Sequence, residues 1–201
     1  REAVHRVVRE MGQGMAEFAA MDLGRGTANV VEYNRYCHFV AGTVGYGLTA
    51  IFDALGLEQN ASELVKDQRL WDGMGMLLQK TNIIRDVCED AAEGRAFWPQ
   101  DVWTQAAGEA GSLVKELGDV RDVRILNALV ADALALVPHV VAYLSRLHHP
   151  GVLRFCALPQ VMALRTLEEC YDNALVFTGV VKIRAGSSAR IVLALDKADA
   201  V

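Results

Sequence analysis

Apolar residues recur at spacings of three and four along much of the chain. Near the amino end this spacing links Val4, Val7, Val8, Met11 and Met15, and it places side chains on one face of an α-helix. Residues 126, 129, 130, 134 and 137 repeat the pattern. No alternating run bounded by Asn-Gly or Asp-Gly turns is present, so the pattern does not indicate strands.

Glycine-containing and polar segments interrupt these apolar patterns. They fall at residues 24–27, 56–60, 93–98, 108–112, 148–151 and 186–188. Such breaks divide the chain into about seven helices with short connections, which is typical of an all-α protein. We therefore predict a helical bundle that forms a single domain over residues 1–201, without internal repeats or interdomain linkers.

Composition narrows the class of protein. A chain of 201 residues with 52% hydrophobic residues is long enough for one substantial core. Its formal net charge is −5 and its basic residues form no block, so nucleic acid is not an expected partner. The four cysteines form no C-x-x-C pair, which predicts reduced, buried thiols of an intracellular protein.

Neither the longest uncharged run nor the amino end of the chain has the pattern of a membrane-spanning or targeting segment. Residues 36–52 form the longest uncharged run, but they include one histidine and three glycines and fall short of the roughly 20 apolar residues of a spanning helix. A buried helix is therefore predicted there. Charged residues interrupt the amino end, so no signal peptide is expected.

Residues 74–90 carry the clearest candidate chemistry. Without an internal proline they predict one continuous helix, and at about 100° per residue Gln79, Asn82, Asp86 and Asp90 lie on one stripe. Asp86 and Asp90 repel each other by roughly a few tenths of a kcal/mol, and a bound cation reverses that sign. Mg²⁺ suits such a place because it takes one or two carboxylates and completes its shell with waters and phosphate oxygens.

The same residues also have a simpler interpretation. A D-x-x-x-D spacing on a helix is more often a solvated acidic face that binds no metal. Arg85 and Glu89, four residues apart, are compatible with an ordinary surface ion pair. Physical reasoning alone thus leaves a diphosphate-binding site and a solvated face both open.

Longer motifs around this helix carry a family resemblance. Residues 78–90 read LQKTNIIRDVCED and residues 94–100 read GRAFWPQ, and together they closely resemble the second aspartate-rich motif of squalene synthases. Further blocks resemble the same family in the same order: YCHFVAG at 36–42, FCALPQVMA at 155–163, VKIR at 181–184 and MGQGMAEF at 11–18. Phytoene synthases share the N-x-x-R-D-x-x-E-D core, but the FWPQ and FCALPQ segments favour the squalene branch.

The resemblance implies an isoprenoid synthase type of helical fold and a two-step reaction. Two farnesyl diphosphates would condense head to head to presqualene diphosphate, which is then reduced with NADPH to squalene in a Mg²⁺-dependent enzyme. The family's motif implies metal binding by Asp86 and Asp90 with Asn82 and Glu89, and diphosphate binding by Gln79, Arg85 and Arg95.

Other residues acquire roles only through this resemblance. Tyr36 matches the family's catalytic tyrosine, a candidate acid or base, although on its own it is typical of a core tyrosine. Phe155 and Phe39 are candidates for stabilising a carbocation with their aromatic faces, and Phe39 is equally compatible with plain core packing. Lys182 and Arg184 resemble contacts to the NADPH phosphate, since no G-x-G-x-x-G motif opens a helix after a strand. Otherwise they are a solvated basic pair.

One expected motif is missing from these residues. The family's first aspartate-rich motif, D-x-x-E-D, does not occur before Tyr36, so half of the metal-binding carboxylates are expected outside this chain. Three interpretations follow: part of an enzyme that is incomplete at its amino-terminal side, a short non-catalytic relative acting as a binding or regulatory protein, or a helical scaffold. The resemblance further implies a monomer anchored in the endoplasmic reticulum membrane, facing the cytosol, through a segment not in this chain.

Overall fold

A computed structural model describes residues 1–107 and 123–198, and most of these residues lie in helices. Within those residues the α-helices are α1 Glu2–Ala19, α2 Val30–Cys37, α3 Thr43–Ala54, α4 Ala61–Lys66, α5 Gln68–Arg85, α6 Val87–Ala92, α7 Gln100–Ala107, α8 Val123–Leu134, α9 Val137–Leu144, α10 Pro150–Cys170 and α11 Ala185–Ala198. Short 3₁₀ helices span Leu23–Arg25 and Ala174–Phe177, and a π-helical turn spans His38–Gly42. The described residues contain no strand, which confirms the all-α prediction.

Helix number and one boundary differ from the prediction. The described part of the chain has eleven α-helices rather than about seven, because turns of only a few residues divide the longer apolar runs. Residues 186–188 were predicted as a break but lie inside α11, since an αR backbone is open to glycine and serine as well. The break predicted at residues 108–112 lies outside the described residues.

Helix α5 is the central element. It packs against α3, α8, α9, α10 and the π-helical turn, and most of its side chains from Leu70 to Ile84 are buried. Glycines permit the closest of these contacts: a Cβ on Gly75 would stand 2.0 Å from the Ala41 carbonyl oxygen, and one on Gly45 would stand 2.0 Å from that of Trp71. Only a residue without a side chain allows two backbones to approach this closely.

The helix predicted over residues 74–90 is interrupted at Asp86. Helix α5 ends at Arg85 and α6 begins at Val87, with Asp86 at φ −96° and ψ 9°. These dihedral angles lie in the bridge region, which is sparsely populated in regular helices. The Asp90 amide still donates to the Asp86 carbonyl at 2.9 Å, so helical hydrogen bonding resumes directly after this break.

Helix α1 confirms the helical pattern at the amino end but leaves part of its apolar face uncovered. Phe18 and Gly14 are buried, and the Phe39 ring lies against Gly14, where a Cβ would be only 2.2 Å from it. Val4 and Val8 are 48% and 66% exposed. The described residues thus bury only one edge of the predicted apolar stripe.

The run at residues 36–52 is helical as predicted, since the end of α2, the π-helical turn and most of α3 follow one another without a break. Among the described residues, the segment that is long and apolar enough to cross a membrane is instead Val123–Leu144. A turn divides it into α8 and α9, and both pack against α5. A core helix meets the same criteria of length and composition, so this segment does not assign a membrane location.

Three of the four cysteines are buried and none forms a disulfide. Cys37, Cys156 and Cys170 are buried and Cys88 is partly buried. Burial raises the pKa of the Cys156 thiol to about 12, which keeps it neutral and unreactive.

Candidate functional site

The polar stripe predicted on α5 continues across the break at Asp86 into α6. Gln79, Asp86 and Asp90 are partly buried, and Asn82 is exposed. The opposite side of α5 is buried in the core, including Leu77 and Ile84. One flank therefore anchors the helix while the other presents amide and carboxylate groups towards solvent.

Asp86 is held by its neighbour Arg85. Arg85 Nε and Nη2 each donate to one carboxylate oxygen of Asp86 at 2.6 Å, a bidentate arrangement that is stronger than a single hydrogen bond. The hydrogen bond to Asp86 is the main reason why the pKa of Arg85 is raised. Arg85 therefore pairs with Asp86 and not, as the spacing had suggested, with Glu89.

Asp90 lies among other carboxylates. Its pKa is raised, first by burial, with the charges of Asp86, Glu93 and Glu89 adding to the effect and that of Arg95 opposing it. Arg95 Nη2 lies 3.5 Å from Asp90 Oδ1 and also donates to Glu93. Repulsion of this kind is relieved by a cation near Asp90, because an opposite charge favours the ionised form.

The donor set fits Mg²⁺ as a partial site. The part of the chain that the structure describes contains no group of three or more His, Cys, Asp or Glu side chains that could hold a metal ion by themselves. Mg²⁺ commonly uses only one or two protein carboxylates and takes its other ligands from water and phosphate. Asp86 and Asp90 match that requirement, and Glu89 is exposed beside them.

Tyr36 lies close to this acidic cluster. Its ring stacks on Phe97 with centroids 4.7 Å apart and meets Phe18 edge-on at 5.1 Å. Its pKa is raised to about 12, mainly by burial, with further contributions from Cys37 and Asp90. Phe97 belongs to the loop after α6, and Trp98 fixes that loop by donating from its indole nitrogen to the Ile83 carbonyl at 3.2 Å.

An apolar cavity opens on another side of α5. Its volume is about 450 Å³. It is lined by α3, α5, α9, α10 and the π-helical turn, through Ala41, Val44, Gly45, Leu48, Met74, Gly75, Leu78, Tyr143, Phe155, Cys156, Leu158, Pro159 and Gln160. Phe155 forms part of the wall, 58% exposed and edge-on to Phe52 at 6.5 Å. Phe39 is not among the lining residues and instead packs on α1.

A second, more polar cavity adjoins the first. It has a volume of about 520 Å³ and its wall includes Asn82, Arg85 and Lys182. Leu78 and Pro159 line both cavities, so the two are neighbours. The fold thus brings Lys182 from a loop near the carboxyl end to the polar stripe of α5.

Arg184 occupies a different position. Its side chain is exposed and does not line the second cavity. Its carbonyl oxygen accepts the backbone N–H of Ser187 at 2.8 Å, at the start of α11. The structure therefore places Lys182, but not Arg184, beside Asn82 and Arg85.

Sequence reasoning missed Gln160 as a functional candidate. It is 2% exposed, lines the apolar cavity and donates from Nε2 to the Met74 carbonyl at 2.9 Å. Gln160 belongs to the FCALPQVMA block, in which the sequence pattern predicted a role only for Phe155.

Comparisons with known proteins identify the family of this chain. The sequence profile described as squalene/phytoene synthase matches residues 1–187. Squalene synthase from Homo sapiens is 44% identical over 187 residues, which are 93% of this chain and 43% of that protein. Squalene synthase from Dictyostelium discoideum is 44% identical over 193 residues, or 96% of this chain and 45% of that protein. The chain spans less than half the length of these curated relatives.

Solved structures are similar as well. The complex of TcSQS with BPH1237 aligns with a TM-score of 0.87 and 40% identity, covering 96% of this chain and 56% of the other. A dehydrosqualene synthase in complex with a ligand aligns with a TM-score of 0.67 at 17% identity, which is a likeness of fold.

Proposed function

The chain belongs to the squalene/phytoene synthase family, and on that premise we propose that it is part of a squalene synthase. The all-α fold of the isoprenoid synthase type is common to this chain and its structural neighbours. The proposed reaction condenses two farnesyl diphosphates to presqualene diphosphate and reduces that product with NADPH to squalene. The observation that supports it best is the pair of adjoining cavities, one apolar and one polar, on either side of Leu78 and Pro159.

The two cavities match the two parts of a prenyl diphosphate. An apolar chain gains free energy on entering a cavity of apolar side chains. A diphosphate is recognised by cationic and amide groups, such as those of Arg85, Lys182 and Asn82 in the neighbouring cavity. A single molecule with an apolar tail and an anionic head therefore fits across the boundary between them.

Loss of diphosphate from an allylic carbon is the first chemical demand. Mg²⁺ bound at Asp86 and Asp90 would neutralise the charge that collects on the leaving group. Arg85 and Arg95, which already lie against these carboxylates, bind and orient the diphosphate oxygens. Asn82, Gln79 and Glu89 are proposed to complete this polar surface.

Tyr36 enters the reaction as a protonated phenol. Because its pKa is raised to about 12, it holds its proton at neutral pH and acts as a hydrogen-bond donor or acid towards an anionic group. Phe155 presents an aromatic face at the cavity wall, where it can stabilise a carbocation and exclude water.

For the reduction step, Lys182 is the proposed contact to the phosphate of NADPH, which would supply the hydride when bound. Arg184 retains that proposed role only if its exposed side chain turns towards the cavity. The proposed membrane location is the cytosolic face of the endoplasmic reticulum, with the complete protein a monomer. Both proposals rest on the resemblance.

The experiment uses the longest open reading frame that contains these residues, purified and supplied with farnesyl diphosphate, Mg²⁺ and NADPH. Squalene is the expected product. Accumulation of presqualene diphosphate, or of an unreduced C30 or phytoene-type product without NADPH oxidation, would support the alternative of an enzyme without reduction. No product at all would support a non-catalytic binding or regulatory protein.

A second experiment tests the carboxylates. In the same protein, Asp86→Asn should lower Mg²⁺-dependent turnover by about 100-fold, the upper end of the effects seen at metal-supporting residues. Asp53→Asn, at an exposed position on α3, serves as the matched control and should leave turnover unchanged. Equal turnover in the two variants would remove Asp86 from the metal site.

A further inference from the structure

The loop that carries Phe97 is tied to the loop between α1 and α2, far earlier in the chain. Thr27, which is buried, donates from its hydroxyl to the Phe97 carbonyl at 3.1 Å. Its own carbonyl accepts the Gln100 amide at 2.8 Å, and the Ala96 amide donates to the Leu23 carbonyl at 2.9 Å. Hydrogen bonds before and after Phe97 therefore hold the backbone of this residue in place.

Close packing of the two loops adds to these hydrogen bonds. Gly26 has φ +86°, and a Cβ there would stand 2.0 Å from the Trp98 carbonyl oxygen. Glycine is the residue that meets both demands, because it has no side chain and adopts positive φ readily. The indole nitrogen of Trp103 donates to the Arg25 carbonyl at 3.2 Å. The backbone next to Thr27 is thus fixed by several contacts.

The Phe97 ring in turn covers one face of Tyr36. The two rings are stacked, with centroids 4.7 Å apart and an angle of 21° between their planes. Neither of these residues, nor Thr27, lines the apolar or the polar cavity. The contacts that hold the phenol are therefore separate from the cavity walls that bind the proposed substrate.

We propose that Thr27 is a positioning residue: its hydroxyl fixes the Phe97 carbonyl, and through the Phe97 ring it fixes the ring plane of Tyr36. This inference rests on the proposed function, in which Tyr36 acts as the acid. A group that transfers a proton has to be held within hydrogen-bonding reach of its partner, and residues behind the reacting group secure that geometry. A purely structural alternative is that Thr27 only stabilises the contact between the two loops.

The first test measures turnover of the same protein with farnesyl diphosphate, Mg²⁺ and NADPH. Thr27→Val keeps the shape of the side chain but removes the hydroxyl, and it should lower kcat by about 10- to 100-fold, as small misplacements of reacting groups do. KM should stay unchanged, because the cavity walls are untouched. Thr27→Ser keeps the hydroxyl and should restore kcat.

A matched control is available in α3. Thr43 is buried like Thr27, and its hydroxyl donates to the Phe39 carbonyl at 2.9 Å. Thr43→Val therefore removes the same kind of hydrogen bond at a place that does not contact the loop of Phe97. It should leave kcat unchanged.

A second test follows Tyr36 itself by fluorine NMR of the protein labelled with fluorotyrosine. The resonance that is missing from Tyr36→Phe belongs to Tyr36. Because the Phe97 ring stacks on this residue, its resonance should move in Thr27→Val and keep its position in Thr27→Ser and Thr43→Val. A role limited to loop stability would lower the melting temperature of Thr27→Val without moving this resonance in the folded protein.

Each outcome decides the proposal. A lowered kcat in Thr27→Val that Thr27→Ser restores, together with a moved Tyr36 resonance, supports it. An unchanged kcat, an equal loss in Thr27→Ser or an unmoved resonance overturns it. If the wild-type protein forms no product, the proposed function fails, and the resonance alone decides whether Thr27 positions Tyr36. If Thr27→Val fails to fold, Phe97→Leu removes the ring and keeps the carbonyl; a lowered kcat then supports the proposal and an unchanged kcat rejects it.

Discussion

The ion pair between Lys80 and Asp132 gives a sharp test of how α5 is held. Lys80 has a side chain that is 2% exposed, and its Nζ lies 2.5 Å from Asp132 Oδ2 on α8. The ring of Tyr33 is 5.3 Å from the same nitrogen. Asp132→Ala would leave a buried ammonium group with only an aromatic ring beside it.

The expected cost follows from that burial. Removing one partner of a buried pair costs about 3–5 kcal/mol. Asp132 is 31% exposed, so water can reach the site and the lower end, about 3 kcal/mol, applies. At about 2–4 °C per kcal/mol for a chain of this size, the melting temperature should fall by about 6–12 °C. Lys80→Met removes the charge instead and should cost less than about 1.5 kcal/mol.

Urea unfolding followed by far-UV circular dichroism measures both variants. Lys66→Met breaks a pair of similar length whose side chains are 68% and 70% exposed, and it should change the unfolding free energy by no more than about 0.5 kcal/mol. The reasoning is refuted if Lys80→Met destabilises the protein as much as Asp132→Ala does. It is also refuted if Asp132→Ala matches the exposed control.

Three further perturbations test other parts of the structure. Gly75→Ala places a Cβ 2.0 Å from a backbone carbonyl of the π-helical turn and should lower the free energy of unfolding, measured by thermal unfolding, by about 1–3 kcal/mol. Its control, Gly12→Ala, has open space around the new Cβ and should raise the free energy of unfolding by up to about 1 kcal/mol. Glu58 is a buried carboxylate that accepts two backbone N–H groups at 2.8 Å ahead of α10. Glu58→Gln keeps only one acceptor oxygen, so the unfolding free energy should fall by about 1–3 kcal/mol. An unchanged unfolding free energy would contradict this role of Glu58. The pKa of His38 is raised, chiefly by its hydrogen bond to Asp72. The contribution of the His38–Asp72 pair to the free energy of unfolding should therefore be complete below about pH 6.5 and disappear as pH rises through the folded-state pKa. Asp72→Asn should flatten that part of the plot of unfolding free energy against pH, and an unchanged plot would contradict the assignment.

Periodicity and motifs predicted much of the fold and the chemical character of the site. The all-α class, the helical pattern of α1 and the polar stripe from Gln79 to Asp90 depend on neighbours three and four residues apart, and these local relations are legible in the sequence. The squalene synthase motifs identified the family for the same reason, because they are continuous stretches of chain. The metal, substrate and cofactor roles of individual residues stay predictions.

Several features were not predicted, some of them local and others set by distant parts of the chain. Locally, the helix break at Asp86 and the pairing of Arg85 with its neighbour replaced a continuous helix and an expected surface pair. Helix α1 carries the expected apolar stripe, yet Val8 on that stripe is largely exposed. Spacing describes which residues share a face, but it does not say which neighbour covers that face.

The sequence by itself therefore determined the helices, their polar and apolar faces and the family. Only the tertiary structure decided that Lys182 joins Arg85 at one cavity and that the Gln160 amide donates to the Met74 carbonyl beside another. The physical reason is that each of these features joins α5 to a segment that is distant in the chain. Their relative positions are set by close packing among residues far apart in the chain, such as the contact of Gly75 with the π-helical turn.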